Sequence, residues 1–194
     1  MRKIQTQADI DKKKKRNGII LGVVLVGLLV VSTLGYSLSG SSGEDNKKEF
    51  NGYEFNRNGV YWVLDLEDQE FAFQNLPQEV TDVSVFGFYD LNSYFDKVLY
   101  FVNLDEGNEA GYEILNNLER YVLRWQETCL EGEECEDNLP VKTCEKNGQN
   151  LIIFEESIGI NNSTSVRKDN NCVYISGDFV RGSDAFLYKL LGIS

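Results

Sequence analysis

Residues 19–36 read IILGVVLVGLLVVSTLGY, a stretch of eighteen residues without a charged side chain. As an α-helix this stretch would span roughly 27 Å, close to the ~30 Å hydrocarbon core of a bilayer. A helix pairs its backbone amides and carbonyls within the segment, as an open chain inside lipid requires. The stretch therefore predicts a transmembrane helix over residues 18–36.

The charged residues before this stretch predict its orientation. Residues 1–17 contain seven Lys and Arg and two Asp, with KKKKR at residues 12–16. Such basic flanks stay in the cytoplasm, where they also suit an anionic inner leaflet. We therefore expect a single-pass signal-anchor protein in the cell membrane. Its basic tail, residues 1–17, would be cytoplasmic, and the rest of the chain extracytoplasmic.

A cleaved signal peptide is the alternative interpretation of the same stretch. Ser37 and Ser39 provide small residues at a position where a signal peptidase could cut. The apolar run is longer than the usual core of a signal peptide, and it lacks the Ala-x-Ala pattern. These two features favour an anchor that stays on the protein.

Net charge differs sharply between the two ends of the chain. Residues 1–35 carry +5, and the total of −12 leaves −17 for residues 36–194. A surface this acidic repels phosphate backbones, whereas nucleic-acid binding needs Lys and Arg clustered on one face. The composition therefore excludes a nucleic-acid partner and predicts a soluble, acidic outer domain.

Histidine is absent from the sequence. This absence removes the usual general base near neutral pH and the commonest metal ligand, and it excludes Ser-His and Cys-His nucleophilic pairs. Asn103, Asp105, Glu106 and Glu109 cluster around Gly107, but their spacing does not match a calcium-binding loop. We therefore expect a non-enzymatic protein without a cofactor or a metal centre.

The residues after the apolar stretch predict a linker and one α+β domain. Residues 37–49, SLSGSSGEDNKKE, predict a flexible linker, and the domain is expected over residues 50–194. Apolar side chains alternate on both sides of Asn58-Gly59, a pair that favours tight hairpin turns, and so predict an antiparallel β-meander. Further strands are predicted at residues 83–88, 97–103, 151–155, 163–167 and 172–176.

Two main helices are predicted in this domain. Ile114, Leu118, Val122 and Trp125 recur at the spacing of one helical face, which predicts a helix over residues 109–128. Asn108 is the expected N-cap of that helix. A terminal helix is predicted over residues 183–191, where apolar side chains again recur every three or four positions.

All four cysteines follow the apolar stretch: Cys129, Cys135, Cys144 and Cys172. Cysteines confined to the outer side of a membrane predict two disulfides, for which three pairings are possible. We predict Cys129–Cys135, which closes an acidic loop, and Cys144–Cys172. A zinc site is disfavoured because no Cys-x₂₋₄-Cys pair and no histidine are present.

The cysteine loops and the C-terminus carry a recognisable pattern. It consists of RWQETC at 124–129, Cys135, LPVKTC at 139–144, Asn171-Cys172 and FLYKLLGI at 186–193. This pattern resembles a family of uncharacterised archaeal single-pass membrane-anchored proteins. The resemblance covers most of residues 50–194, and it implies an archaeal source and a membrane-anchored topology without implying an activity.

Two functional hypotheses follow from the sequence. The first is a non-enzymatic envelope module that binds another surface protein, and the alternative is a carboxylate-based hydrolase acting at the cell surface. The alternative requires two acids roughly 5–10 Å apart in one cleft. Asn161 and Asn162 begin overlapping N-x-Ser/Thr sequons and are candidate glycan acceptors outside the membrane.

Overall fold

The computed structural model divides the chain into two units, Met1–Asp45 and Asn46–Ser194. The residues it describes are 22, 24–28, 46–135, 138–145, 149–156 and 163–193. In the first unit, residues 22 and 24–28 are helical, and the rest of the predicted segment 18–36 lies outside the described residues, as does the tail. Within the described ranges, no helix combines the length and the apolar character needed to cross a membrane.

The second unit is an α+β domain, as predicted. Its twelve strands are, in chain order, β1 Lys47–Phe50, β2 Tyr53–Asn58, β3 Tyr61–Leu66, β4 Gln69–Phe73, β5 Ser84–Phe86, β6 Val98–Val102, β7 Arg124–Glu127, β8 Cys129–Leu130, β9 Val141–Lys142, β10 Asn150–Glu155, β11 Ser165–Asp169 and β12 Cys172–Ser176. The helices are α1 Asn108–Leu118 and α2 Phe179–Leu191, with short 3-10 helices at Pro77–Val80 and Leu91–Ser93.

Strands β1 to β4 form the predicted antiparallel meander. Gly59 adopts the left-handed backbone conformation, with φ +62°, in the turn between β2 and β3. Trp62 and Leu64 are buried in the core, whereas Tyr61 and Asp65 on either side of them are exposed. Strand β1 begins at Lys47, ahead of the domain start expected at residue 50. It pairs with β2, and Lys47 forms an exposed ion pair with Glu54.

The second sheet has six strands in the order β5-β11-β12-β10-β6-β7. All of its neighbouring strands are parallel except β11 and β12, which form an antiparallel pair. Because β6 and β7 are parallel neighbours, the chain must cross over between them, and α1 lies in this crossover. A third, two-stranded sheet joins β8 to β9.

The terminal helix is confirmed and is longer than predicted. Helix α2 begins at Phe179, after the N-cap Asp178, whose carboxylate accepts a hydrogen bond from the backbone amide of Arg181. It ends where Gly192 adopts a left-handed conformation with φ +73°. Helix α1 begins at Asn108, so Gly107, rather than the expected Asn108, is its N-cap.

The prediction of one helix over residues 109–128 is wrong in its C-terminal half. Helix α1 ends at Leu118, whose carbonyl accepts hydrogen bonds from the amides of both Tyr121 and Val122. The amide of Leu123 then donates to the carbonyl of Lys97, and the chain continues as β7 beside β6. Pairing with a strand distant in sequence therefore overrides the local helical spacing.

Alternating side chains place the six-stranded sheet between two apolar clusters. Leu99 and Phe101 of β6 belong to the larger cluster, which also contains residues of the meander, α1 and α2. Tyr100 and Val102 belong to a smaller cluster on the opposite face, where Leu130 and Cys144 pack against them. This sheet is thus buried on both faces, by helices on one side and by loops on the other.

Candidate functional site

The candidate site is built on α1, whose polar side chains cover the outer edge of β4. The Asn117 side chain accepts a hydrogen bond from the Ala72 amide and donates one to the Ala72 carbonyl, both at 2.8 Å. Asn117 is fully buried. A strand at the edge of a sheet presents unpaired backbone groups, and here one amide side chain satisfies both groups of a residue.

Glu113 of α1 and Arg120, which follows the C-cap of the helix, continue this contact along β4. Glu113 Oε1 accepts a hydrogen bond from the backbone amide of Gln74 at 2.9 Å, and Arg120 Nη2 donates to the carbonyl of Glu70 at 2.7 Å. Every second strand residue points to the same side, roughly 6.8 Å apart, and helix residues three or four positions apart rise by roughly 4.5–6 Å. Glu113, Asn117 and Arg120 therefore contact alternate residues along the edge of β4.

A buried pair of carboxyl groups lies where α1 meets α2. Glu113 is 4% exposed and Asp184 is fully buried. Asp184 Oδ2 accepts hydrogen bonds from both nitrogens of Asn75, the backbone amide and the side-chain Nδ2, each at 2.8 Å. Its other oxygen, Oδ1, is buried and receives no hydrogen bond from an amide or hydroxyl of the described residues.

A proton on Glu113 would supply the donor that Asp184 Oδ1 lacks among the described residues. Burial, together with the hydrogen bond and the charge of Asp184, raises the pKa of Glu113 to about 10. Burial also raises the pKa of Asp184. Two carboxyl groups that share a desolvated site retain one proton between them, and Glu113 therefore stays uncharged at neutral pH.

An open cleft of about 660 Å³ lies between three elements of the domain, and Glu113 is part of its lining. Tyr61 of β3, Tyr112 of α1 and Trp125 of β7 line it and remain 39%, 61% and 38% exposed, respectively. Side chains this large are normally covered, so three of them around one cavity mark a candidate binding surface. We call this feature the aromatic cleft.

The other residues that line the aromatic cleft are mostly acidic or polar: Glu109, Glu113, Leu115, Asn116 and Glu119. The side-chain amide of Gln74 donates to both Glu109 Oε1, at 3.0 Å, and Glu113 Oε2, at 3.2 Å. Among the described residues, no Lys or Arg lines this cleft. The domain as a whole, residues 46–194, contains 12 Lys and Arg and 27 Asp and Glu, a net charge of −15.

The sequence prediction missed the aromatic cleft. Tyr61 lies 51 positions before Tyr112, and the helical spacing of the sequence places Trp125 on the apolar face of a helix that in fact ends before it. The available signal was Tyr112, a large aromatic residue that lies between the buried positions of α1 rather than among them.

Both predicted disulfides are present. Cys129 is bonded to Cys135 with their Cα atoms 5.7 Å apart, and Cys144 to Cys172 with a Cα separation of 5.3 Å. The second bond fastens the loop before β10 to the first residue of β12. Neither disulfide lines the aromatic cleft, so their contribution is to the stability of the domain.

The acidic cluster around Gly107 is divided by the fold. Asn103, Asp105 and Glu106 line a separate pocket of about 280 Å³ near the Cys129–Cys135 loop, whereas Glu109 belongs to the aromatic cleft. Within the described ranges, no three His, Cys, Asp or Glu side chains are arranged to hold a metal ion. The sequon residues Asn161 and Asn162 lie outside the described residues.

Comparison with known proteins leaves the function to be inferred from the domain itself. No protein-family model matches the chain, and no curated protein or solved structure is significantly similar to it.

Proposed function

We propose that this chain is a membrane-anchored, non-enzymatic module whose extracytoplasmic domain binds another protein of the cell envelope. Residues 18–36 would form the single-pass anchor, with residues 1–17 in the cytoplasm and residues 37–45 as the linker. The domain from residue 46 onward would present the aromatic cleft to its partner. An archaeal source, suggested by the cysteine pattern, is part of the same proposal.

The topology is supported by three independent features. The uncharged stretch at residues 19–36 has the length of a membrane span. The basic run at residues 12–16 ends shortly before it. The domain holds two disulfides and no free cysteine among its described residues. Disulfides persist in oxidising compartments, outside the cytosol.

The aromatic cleft is the observation that carries the binding role. Tyr, Trp and acidic side chains are exposed together there, whereas most other aromatic side chains of the domain are buried in two clusters and the exposed Phe86, Phe88 and Phe95 do not line this cleft. Exposed aromatic residues are enriched at protein interfaces, where they provide contact area with little loss of conformational entropy. A binding surface needs this arrangement, and the stability of the isolated domain does not.

A site-specific photo-crosslink tests the binding role. A photoreactive phenylalanine analogue would replace Tyr112 in the full chain, expressed in its native membrane, and irradiation should give one discrete adduct. The matched control places the analogue at Glu131, an exposed position outside the cleft. Equal adducts from both positions, or none from position 112, would count against the proposal.

Thiol labelling and fractionation test the topology. The full chain should sediment with membranes and resist extraction by alkaline carbonate, and a thiol-alkylating reagent should label it only after reduction. Recovery in the soluble fraction of the cell, or free labelling of the unreduced native chain, would contradict the proposed location.

A carboxylate-based hydrolase is the second candidate. Glu109 and Glu113 bind the same Gln74 amide, and burial raises the pKa of Glu113 to about 10, so a protonated acid lies beside an exposed carboxylate. Both Glu113 oxygens already accept hydrogen bonds from Gln74, however, which favours the binding role. Cleavage of a chromogenic glycoside or peptide that is lost in Glu109→Gln would reverse this preference.

A further inference from the structure

Several aromatic rings outside the aromatic cleft each have a Lys or Arg side chain of the domain over them. Arg57 lies 4.8 Å from the Trp62 ring, Lys142 lies 4.7 Å from Tyr100, and Arg167 lies 3.5 Å from Tyr174. Such contacts stabilise a ring and a cation because the face of the ring carries partial negative charge.

The three rings of the aromatic cleft differ from these. Within the described part of the chain, no Lys or Arg lies over Tyr61, Tyr112 or Trp125. These rings come from three separate elements and surround an open cavity, and none of the described residues that line it is Lys or Arg. They therefore form an electron-rich surface that no Lys or Arg of the described residues covers.

Carboxylates lie at both ends of this surface. Glu109, Tyr112, Asn116 and Glu119 follow one another at spacings of three, four and three residues, which places them on one face of α1. Glu119 is the C-cap of the helix, and ten residues of helix separate it from Glu109 by roughly 15 Å. Two positively charged groups about 15 Å apart, each on an apolar side-chain stem that packs against the rings, would match this face.

We infer that the aromatic cleft binds an extended, basic segment of the partner protein, with Lys or Arg side chains against the rings and paired with Glu109 and Glu119. This inference rests on the proposed binding function and names its ligand. An extended chain advances roughly 3.3 Å per residue, so basic residues four positions apart span most of the distance between the two carboxylates. The net charge of the domain also attracts such a segment over longer range.

Fluorescence anisotropy with a labelled heptapeptide tests this inference. The full chain in a non-ionic detergent would be titrated into GRGSGRG or into its neutral counterpart GQGSGQG. We expect the basic peptide to bind at least about tenfold more tightly, because cation–π contacts and charge-assisted hydrogen bonds are both lost in the neutral one. Raising the salt concentration should weaken its binding.

Two variants with matched controls localise the binding. Tyr112→Ala and Glu119→Gln should each weaken the peptide about three- to tenfold, because each removes one exposed contact of the cation. Phe88→Ala removes an exposed ring elsewhere, and Glu131→Gln removes one charge elsewhere, so both should leave the affinity unchanged. Circular dichroism would verify that all four variants fold.

The outcomes separate this inference from the proposed function. Equal affinities for the two peptides would overturn the inference of a basic ligand. Equal losses in Glu119→Gln and Glu131→Gln would overturn it too, because they would attribute the binding to the diffuse charge of the domain. Tighter binding of a neutral oligosaccharide such as chitohexaose, sensitive to Tyr112→Ala, would overturn it as well. A discrete crosslink from position 112 without peptide binding would leave the binding module standing and exclude only this ligand.

Discussion

The two faces of the six-stranded sheet are covered in different ways. On one face, α1 and α2 join the meander in a large continuous apolar cluster that includes Phe154 and Phe186. On the other face, only five buried residues form a cluster, and the loops carrying the disulfides cover it. One cover is held by apolar area, and the other by covalent bonds.

The two covers differ in how much apolar surface they bury. The loop that follows β8 carries Glu131, Glu133 and Glu134 and buries little apolar surface, so solvent transfer alone stabilises it weakly. A disulfide stabilises it by restricting the unfolded chain instead. Helices α1 and α2 bury enough apolar surface to need no crosslink, and they bring buried polar groups with them.

Removing the Cys144–Cys172 disulfide should produce the largest effect on stability. Cys144→Ala combined with Cys172→Ala should lower the free energy of unfolding by about 3–4 kcal/mol, because the bond closes a long loop. The matched control, Cys129→Ala with Cys135→Ala, opens a short loop and should cost about 2 kcal/mol. Urea denaturation followed by circular dichroism measures both, and a larger loss in the control would contradict this ranking.

On the helix face, Asn117→Ala should lower the free energy of unfolding by about 2 kcal/mol. The substitution leaves the half-buried amide and carbonyl of Ala72 without their partner. Asn116→Ala is the control, since it makes the same exchange at an exposed position of the same helix and should change stability by less than about 0.5 kcal/mol. Similar losses in both variants would show that Asn117 does not hold the edge of β4.

Per pH unit, the smallest effect is a dependence of stability on pH, at most about 1.4 kcal/mol for one retained proton. Burial raises the pKa of Glu113 to about 10, so between roughly pH 5 and pH 9 the folded domain keeps a proton that the unfolded chain has released. The melting temperature should therefore fall as the pH rises through this window, and it should be highest toward the acidic end.

Glu113→Gln should flatten this dependence, because glutamine stays uncharged and is able to donate to Asp184. Glu119→Gln, which removes an exposed carboxyl from the same helix, should retain the slope of the parent chain. Thermal unfolding at several pH values provides the comparison. A slope that persists in Glu113→Gln would assign the pH dependence to other groups.

Local patterns in the sequence predicted much of the fold. The alternation of Trp62 and Leu64 beside the Asn58-Gly59 turn predicted the meander, and the positions of the cysteines predicted both disulfides. The β7 strand could not be predicted in this way. Arg124–Glu127 is short and lacks apolar alternation, and it is a strand only because β6, distant in sequence, pairs with it.

The candidate site was less accessible to prediction. Glu113 and Asn117 occupy positions that a sequence pattern assigns to the polar face of a helix, and only the neighbouring β4 edge explains their burial. The aromatic cleft depends on the meander, α1 and β7 lying together, which no local spacing encodes. Functional surfaces assembled from distant segments are therefore the part that sequence patterns leave out.

The seal that α1 forms over β4 has a consequence for solubility. If the helix detached while the rest of the domain stayed folded, the amide and carbonyl of Ala72 would be offered to a strand from another molecule. Partial opening would then seed aggregation before global unfolding. Helix α1 would in this way serve as a gatekeeper against misassembly.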